Sequence, residues 1–280
     1  MKLIIHGGFF SESSSSEETK IAKQKALSEI VTAGYEYLQL HTALETVTYV
    51  VGLLEDHELF NAGTGGQIQS DGKLRMSASI MDGESLRFSG VINIEDVKNP
   101  VQVALKLMDK EDRVLSGPGA LAFARQNGFE PYNPITPQRQ QEFEEKRNQQ
   151  NNKGTVGCVA MDADGNIAAA TSTRGKGFEI PCRVSDSATV AGNYANKFAG
   201  VSCTGVGEDI VNVGLALKVV TRVTDGMSLQ QATDKSFEEL KQFDGFAGVI
   251  AISNTGEMYH TDSHPYMVWA SFDGRLQVFN

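Results

Sequence analysis

Three side chains have the chemical types needed to work together on an acyl group: Thr155, Arg183 and Asp186. A threonine hydroxyl attacks an acyl carbon only when a nearby base accepts its proton. A guanidinium binds a carboxylate through two parallel hydrogen bonds, and a carboxylate accepts hydrogen bonds from an ammonium group. Each residue alone has a commoner structural explanation, since threonine often opens a β-strand and Arg/Asp pairs often form surface ion pairs. No Ser/His/Asp or Cys/His arrangement stands out, so the wider sequence must decide.

The segment before Thr155 is unusual. Residues 133–154, NPITPQRQQEFEEKRNQQNNKG, contain few apolar side chains and end in a Gln/Asn-rich tract. Such a composition buries too little surface to offset the entropy cost of ordering. Long loops of this kind are uncommon in compact domains and are often functional. We therefore expect an interdomain linker or an exposed loop, after which the apolar chain resumes at Thr155.

The elements around these residues mix helices with hairpins. Apolar or alternating runs at 156–161 and 167–173 flank the turn residues 162–166, and a similar pair at 247–253 and 257–261 flanks 254–256. Helical spacing is predicted at about 20–40, 43–54, from 99–100 onward, 210–224 and about 229–243, and Ser14 with Glu17 has the spacing of a capping box. Hairpins alternating with helices favour a layered α+β fold over a doubly wound parallel sheet.

Composition excludes several classes of partner. The chain has 280 residues with 25 basic and 35 acidic side chains, which gives a formal charge of -10. Phosphate backbones and anionic lipid headgroups repel such a protein, so we expect neither nucleic acid nor a membrane as a partner. No apolar run approaches the roughly 18 residues of a membrane span. Cys158, Cys182 and Cys203 lack metal-type spacing and indicate a reducing, cytoplasmic location.

Several short motifs occur in a fixed order along nearly the whole chain. They are IIHGG (4–8), LFNAGTG (59–65), ASIMDG (78–83), GTVGCVAMDADGNIAAATSTRG (154–175), RVSDS (183–187), YAN (194–196) and SCTGVGE (202–208). Together they resemble the threonine-dependent isoaspartyl peptidase/L-asparaginase family, the plant-type asparaginases among the N-terminal-nucleophile hydrolases. Its wider relatives include the glycosylasparaginases. The resemblance implies an α+β fold built as a four-layer αββα sandwich.

The resemblance also implies self-cleavage. In this family the precursor cuts itself before the motif threonine, which corresponds here to the bond between Gly154 and Thr155. Residues 1–154, with a flexible polar tail from about 133, and residues 155–280 would then be two subunits of one αββα domain. The freed α-amine of Thr155 has a reference pKa of about 7.7–8.0 and can accept the proton of its own hydroxyl. This chemistry needs no separate catalytic triad.

Other catalytic roles follow from the same resemblance. Thr173 corresponds to a second threonine whose hydroxyl orients the Thr155 amine, and Asn61 to an asparagine that helps hold the two threonines. Thr204 and Gly205 correspond to donors that stabilise a developing oxyanion, which is usually a large electrostatic contribution in acyl transfer. Gly205 and Gly207 would let substrate approach the backbone closely.

The implied substrate is a free amino acid or a dipeptide. Arg183 would bind its carboxylate and Asp186 its ammonium group. Arg174 stands where the family usually has glycine, and we expect it to lie beside the pocket and add a carboxylate contact that favours dipeptides over free asparagine.

No cofactor is implied for the chemistry, but a structural sodium ion is. Its ligands would be main-chain carbonyls, and oxygen ligands suit a hard cation. The corresponding residues are Leu54, Glu55, His57, Phe60, Ala62 and Thr64.

The sequence therefore predicts an autoprocessing threonine amidohydrolase that releases L-aspartate from β-aspartyl dipeptides and L-asparagine. Family precedent implies that two αβ units associate as a dimer. A glycosylasparaginase-like amidase fits less well, because neither a signal peptide nor disulfides are indicated. A threonine endopeptidase is disfavoured, because charged receptors suit a free amino acid end. A non-catalytic homologue that stays unprocessed and binds amino acids is the alternative from another class.

Overall fold

A computed structural model describes residues 1–9, 16–64, 67–135, 143–144, 154–264 and 267–280. The strands are β1 (Lys2–Phe9), β2 (Met76–Asp82), β3 (Arg87–Ile94), β4 (Val114–Ser116), β5 (Thr155–Met161), β6 (Ile167–Thr173), β7 (Asn193–Ala195), β8 (Ala199–Gly205), β9 (Ala247–Ser253), β10 (Met258–Asp262), β11 (Met267–Phe272) and β12 (Leu276–Val278). The helices are α1 (Glu17–Leu38), α2 (Ala43–Asp56), α3 (Pro100–Leu107), α4 (Gly117–Gln126), α5 (Gly207–Val213), α6 (Leu215–Thr224) and α7 (Leu229–Leu240). The fold is mixed α/β, as the hairpin-rich sequence predicts.

The described strands form two sheets. The larger has the order β12-β11-β1-β5-β6-β2-β3-β4, and the smaller has the order β10-β9-β8-β7. Neighbouring strands are antiparallel except for β3 and β4, which are parallel. The predicted hairpins correspond to β5–β6 and β9–β10, which lie in different sheets.

Side-chain alternation assigns the two faces of the larger sheet. Val156 and Cys158 of β5 join a core shared with α1 to α4, whereas Val159 joins a separate cluster with Ile250 and Ile252 of β9. Successive strand residues point to opposite faces. Thr155 therefore shares the face of Val159, which is turned toward the smaller sheet. A third apolar cluster joins β8 and β9 to α5, α6 and α7.

Most predicted boundaries lie close to the observed ones. Helix α1 begins three residues before the expected start, where Ser16 accepts a hydrogen bond from Thr19 N. Ser14, predicted as the cap, lies outside the described residues, as does most of the polar tail (136–142 and 145–153). The helix predicted over 210–224 is divided, because Gly214 adopts a left-handed conformation with φ of 62° and ends α5.

None of the helices within the described ranges combines the length and apolar character needed to cross a membrane.

Candidate active site

The β5–β6 hairpin brings the two predicted catalytic threonines together. Its register pairs Thr155 with Thr173, at the end of the hairpin opposite the 162–166 turn. Both side chains are buried, and Thr155 Oγ1 donates to Thr173 Oγ1 across 3.3 Å. Ser187 Oγ lies 3.5 Å from Thr155 Oγ1. The sequence predicted this pairing of threonines but gave no role to Ser187.

The carbonyl oxygen of Gly154 is held by two donors. Asn61 Nδ2 donates to it across 2.5 Å, and Thr173 Oγ1 donates to it across 3.2 Å. The Thr173 hydroxyl also accepts a hydrogen bond from Gly175 N at 3.2 Å. One proton donated and two lone pairs used is the full capacity of a hydroxyl group. The Thr173 hydroxyl is therefore fixed in direction, with its proton on the Gly154 carbonyl.

Asn61 reaches this carbonyl because the loop after α2 folds tightly back on the helix. Gly63 has a positive φ of 58°, and a Cβ there would come within 2.2 Å of Glu55 O. Only glycine allows this approach, and it lets Thr64 N donate to Glu55 O across 2.7 Å. Asn61 Nδ2 is shared with a second carbonyl, that of Gly175, at 2.8 Å.

A cavity that is open to solvent lies beside the threonine pair. Predicted site residues in its lining are Gly154, Thr155, Thr173, Arg183, Asp186, Gly205 and Gly207, whereas Asn61 and Thr204 do not line it. Asp186 is buried, and its Oδ2 atom has no hydrogen-bond partner among the described residues. Burial raises the pKa of this carboxyl to about 7, although Arg183 opposes the shift. An unpartnered buried carboxylate is a ready acceptor for a cationic ligand.

Arg183 also faces the cavity, but its guanidinium already has partners. Nε and Nη2 bind the two carboxylate oxygens of Glu208 at 2.7 Å each, and Nη1 binds Glu179 at 3.0 Å. The hydrogen bond from Arg183 lowers the pKa of Glu208 to about 2. The expected receptor is thus filled by a carboxylate of the chain itself. Glu179 is buried, whereas the Glu208 side chain is 49% exposed.

Two glycines, the last residue of β8 and the first residue of α5, line this side of the cavity. Gly205 has φ of 139°, and a Cβ at this position would lie 2.2 Å from Phe246 O. A Cβ on Gly207 would come within 2.8 Å of Asp186 Oδ1 and 3.0 Å of Arg183 Nη2. Thr204 is fully buried, and its hydroxyl likewise has no hydrogen-bond partner in the described part of the chain.

Comparison with known proteins places the sequence of this chain in a family. A family profile described as Asparaginase matches residues 1–277. The chain belongs to this asparaginase family. It is 46% identical to an isoaspartyl peptidase/L-asparaginase of Synechocystis sp., covering 98% of this chain and 88% of that protein. It is 36% identical to a plant-type L-asparaginase of Thermococcus kodakarensis (96% and 95% covered) and 35% identical to an isoaspartyl peptidase/L-asparaginase of Bos taurus (98% and 94%). The predicted resemblance is confirmed.

The loop predicted to bind sodium in this asparaginase family member already uses most of its carbonyl oxygens. Leu54, Glu55 and His57 accept main-chain hydrogen bonds from His57, Thr64 and Phe60 respectively, and Phe60 and Thr64 accept from the guanidinium of Arg174. The described residues contain no cluster of His, Cys, Asp or Glu side chains suited to a metal ion. Because a positive guanidinium occupies part of the expected ligand set, this loop fits a bound sodium ion poorly.

Two charged residues at or near the candidate site have surroundings that the sequence does not predict. Arg174 was expected beside the pocket as a carboxylate contact, but its side chain is fully buried and points to the loop after α2. That expectation is wrong, because the carbonyls of this loop capture the guanidinium. Glu208, paired with Arg183, lies in the SCTGVGE motif, but the motif gives no indication of its partner.

Proposed function

We propose that this chain is an autoprocessing threonine amidohydrolase that hydrolyses β-aspartyl dipeptides and L-asparagine and releases L-aspartate. The observation that carries this proposal is the arrangement around the Gly154–Thr155 bond. A threonine hydroxyl lies beside a second threonine, the preceding carbonyl is held by two donors, and an adjacent cavity carries Arg183 and Asp186. The names of the relatives from Synechocystis and cattle support the same reaction.

Self-cleavage would begin when Thr155 Oγ1 attacks the carbonyl carbon of Gly154. The negative charge that develops on the Gly154 oxygen is stabilised by Asn61 and Thr173, which already donate to that atom. The C–N bond breaks, the Thr155 nitrogen takes up a proton, and the acyl group is carried as an ester on Oγ1. Water then hydrolyses the ester, which leaves a carboxylate on Gly154 and a free amine and hydroxyl on Thr155.

Turnover would use the same atoms with the roles rearranged. Departure of Gly154 opens the cavity in front of Thr155 and frees the Asn61 amide and the Thr173 hydroxyl. The Thr155 amine accepts the proton of its own hydroxyl, which attacks the side-chain acyl carbon of the substrate. Thr173 orients the amine, and the Thr204 hydroxyl with Gly205 N stabilises the oxyanion. Ammonia or an amino acid leaves, and water releases aspartate from Thr155.

The substrate would be held by its α-carboxylate and α-ammonium groups. The ammonium group would pair with Asp186, whose Oδ2 needs a donor. The α-carboxylate would bind Arg183 after Glu208 turns into solvent, since Glu208 already shows that a carboxylate fits that guanidinium in a bidentate manner. Glu179 would remain on Nη1 and keep the guanidinium in place.

The architecture of the mature protein belongs to the same proposal. Two sheets, each with an outer core shared with helices, support our proposal of a four-layer αββα sandwich. We infer that residues 1–154 and 155–280 form the two subunits, that the αβ unit pairs as a dimer, and that the protein works in the cytoplasm. Free cysteines at 158, 182 and 203 support a reducing compartment.

We expect the matured protein to release L-aspartate from β-aspartyl-leucine and from L-asparagine. The α-aspartyl isomer places its scissile carbonyl on a different carbon, and misplacement of about 1 Å already costs roughly 100-fold in rate. A coupled assay of aspartate release compares the rates at which the β-aspartyl and α-aspartyl isomers are cleaved. Faster cleavage of N-acetylglucosaminyl-asparagine would support the glycosylasparaginase alternative. Folded protein that releases nothing from any of these substrates would support the non-catalytic one.

We expect Thr173→Val to slow self-cleavage by about 10- to 100-fold, because the Gly154 oxyanion loses one of its two donors while the side-chain shape is kept. A denaturing gel with time resolves the uncut and cut chains. Thr171→Val is the matched control, since it removes a buried hydroxyl on the same face of β6 that contacts Ser202. Equal cleavage rates in the two variants would show that Thr173 does not act on the Gly154 carbonyl.

A further inference from the structure

Arg174 follows the catalytic-site strand β6, yet its side chain is fully buried and turned away from the cavity. Its Nη1 donates to Gly63 O at 3.0 Å and also to Thr64 O, and its Nη2 donates to Phe60 O. These three carbonyls belong to one short loop after α2. A single guanidinium therefore gathers the oxygen atoms of a loop that lies more than 100 residues earlier in the sequence.

Burial of this charge has a physical requirement. An ionised side chain removed from water is strongly destabilising unless polar groups replace its hydration shell. Three converging carbonyl dipoles supply that replacement, and converging carbonyls are also the ligands that a hard monovalent cation would use. A guanidinium cannot lose its charge in a protein. The loop thus has a permanent cation supplied by the chain.

The loop that Arg174 holds carries Asn61. The Asn61 amide donates to Gly154 O at 2.5 Å and to Gly175 O at 2.8 Å. Asn61 follows Phe60, whose carbonyl binds Nη2, and lies two residues before Gly63, whose carbonyl binds Nη1. A shift of this loop would move the amide away from the bond that is cut.

We propose that the Arg174 guanidinium is the resident cation of loop 60–64, where it takes the place of an alkali-metal ion and positions Asn61 against the Gly154–Thr155 bond. Arg174 is a positioning residue, since it does not line the cavity. The protein therefore needs no sodium for stability. The catalytic consequence rests on the proposed function, whereas the independence from sodium does not.

Thermal unfolding tests directly whether the protein binds a stabilising sodium ion. The purified full chain is measured in sodium, potassium and choline chloride at equal ionic strength. An ion bound about tenfold above its dissociation constant would raise the midpoint by about 2 °C in a protein of this size. We expect no saturable, sodium-specific rise. Such a rise in the wild-type protein would overturn the proposal, whether or not the protein is active.

Three variants test the positioning role. Arg174→Met keeps an unbranched side chain but removes the charge, and we expect self-cleavage and kcat to fall by about 10- to 100-fold with a smaller change in KM. Arg174→Lys keeps the charge without the planar fork and should recover part of the loss. Arg125→Met is the matched control, because Arg125 also donates to main-chain carbonyls, those of Asp96 and Phe129.

All rates are measured well below the midpoint of each variant, so that global unfolding does not contribute. Loss in Arg174→Met, partial recovery in Arg174→Lys and normal rates in Arg125→Met support the positioning role. Normal self-cleavage and kcat in folded Arg174→Met would refute it. If neither the wild type nor any variant is active, the proposed function fails. The unfolding midpoints in sodium, potassium and choline chloride still decide whether the loop binds sodium.

Discussion

Thr155→Ala leaves the protein as one uncut chain, because the hydroxyl that attacks Gly154 is gone. The wild type should instead give fragments of 154 and 126 residues, the latter being 280 minus 154. Amidase activity of the variant should fall by about 10⁶-fold in kcat, as in other enzymes that lose their nucleophile. Intact-mass measurement and N-terminal sequencing of the smaller fragment, which should begin Thr-Val-Gly-Cys, check both statements.

Thr155→Ser is the matched variant for this experiment. It keeps the hydroxyl and, once cut, the α-amine, so that cleavage and some turnover should persist with an acidic limb set by the amine. Cleavage of Thr155→Ala at the same bond would reveal an external protease. Full amidase activity in the uncut alanine variant would contradict the threonine mechanism, and family membership would then describe the fold alone.

Asp186→Asn separates substrate binding from folding stability, since we expect kcat/KM to fall while stability is not lost. Loss of the buried partner of the substrate ammonium group should lower kcat/KM by about 100-fold or more. The ligand-free protein should not lose stability at pH 8, because burial makes the ionised Asp186 unfavourable in the folded state. A purely structural carboxylate would lose both activity and stability when replaced.

The free energy of unfolding of the wild-type protein should change with pH in a direction that Asp186 sets. The folded-state pKa of Asp186 is about 7, above its ordinary value of 3.8, so the folded protein binds this proton more tightly than the unfolded chain. The free energy of unfolding of the ligand-free protein should therefore fall as pH rises from about 4 to about 7, by up to about 4 kcal/mol. This slope should be absent in Asp186→Asn.

Asp164→Asn is the control for both measurements, since Asp164 is exposed in the 162–166 turn at the far end of the hairpin. Calorimetry or chemical denaturation across this pH range, combined with steady-state kinetics, gives the two readouts. Unchanged kcat/KM in Asp186→Asn would remove Asp186 from the substrate site.

The sequence predicts the part of the site that depends on local hairpin geometry. Alternating residues on both sides of the 162–166 turn define the β5–β6 hairpin, and its register places Thr155 beside Thr173. The roles of these residues came from motifs, because a strand threonine has no local signature of catalysis. The buried state of Asp186 was not predictable, because it depends on packing against α5 and the larger sheet.

Side-chain direction is where the sequence was least informative. Arg174 was expected to lie beside the pocket because it stands where the family usually has glycine. Consecutive strand residues point to opposite faces, however, and a distant loop supplies the carbonyls that receive the guanidinium. The helix break at Gly214 was missed for another reason: glycine within a helical pattern is often tolerated, and only the αL conformation turns it into a terminus.

The strand order of the larger sheet has a consequence for refolding if the chain is cut at the proposed site. β1, from the first 154 residues, lies between β11 and β5, and β6 pairs with β2, so the two pieces alternate across the sheet. Before cleavage, folding is a reaction within one molecule. Afterwards the same hydrogen-bonded ladders join two separate chains, and re-forming them after denaturation becomes dependent on concentration. Cleavage would thus make folding less reversible. The uncut chain can refold after each unfolding event, whereas the mature protein lasts only because it unfolds slowly.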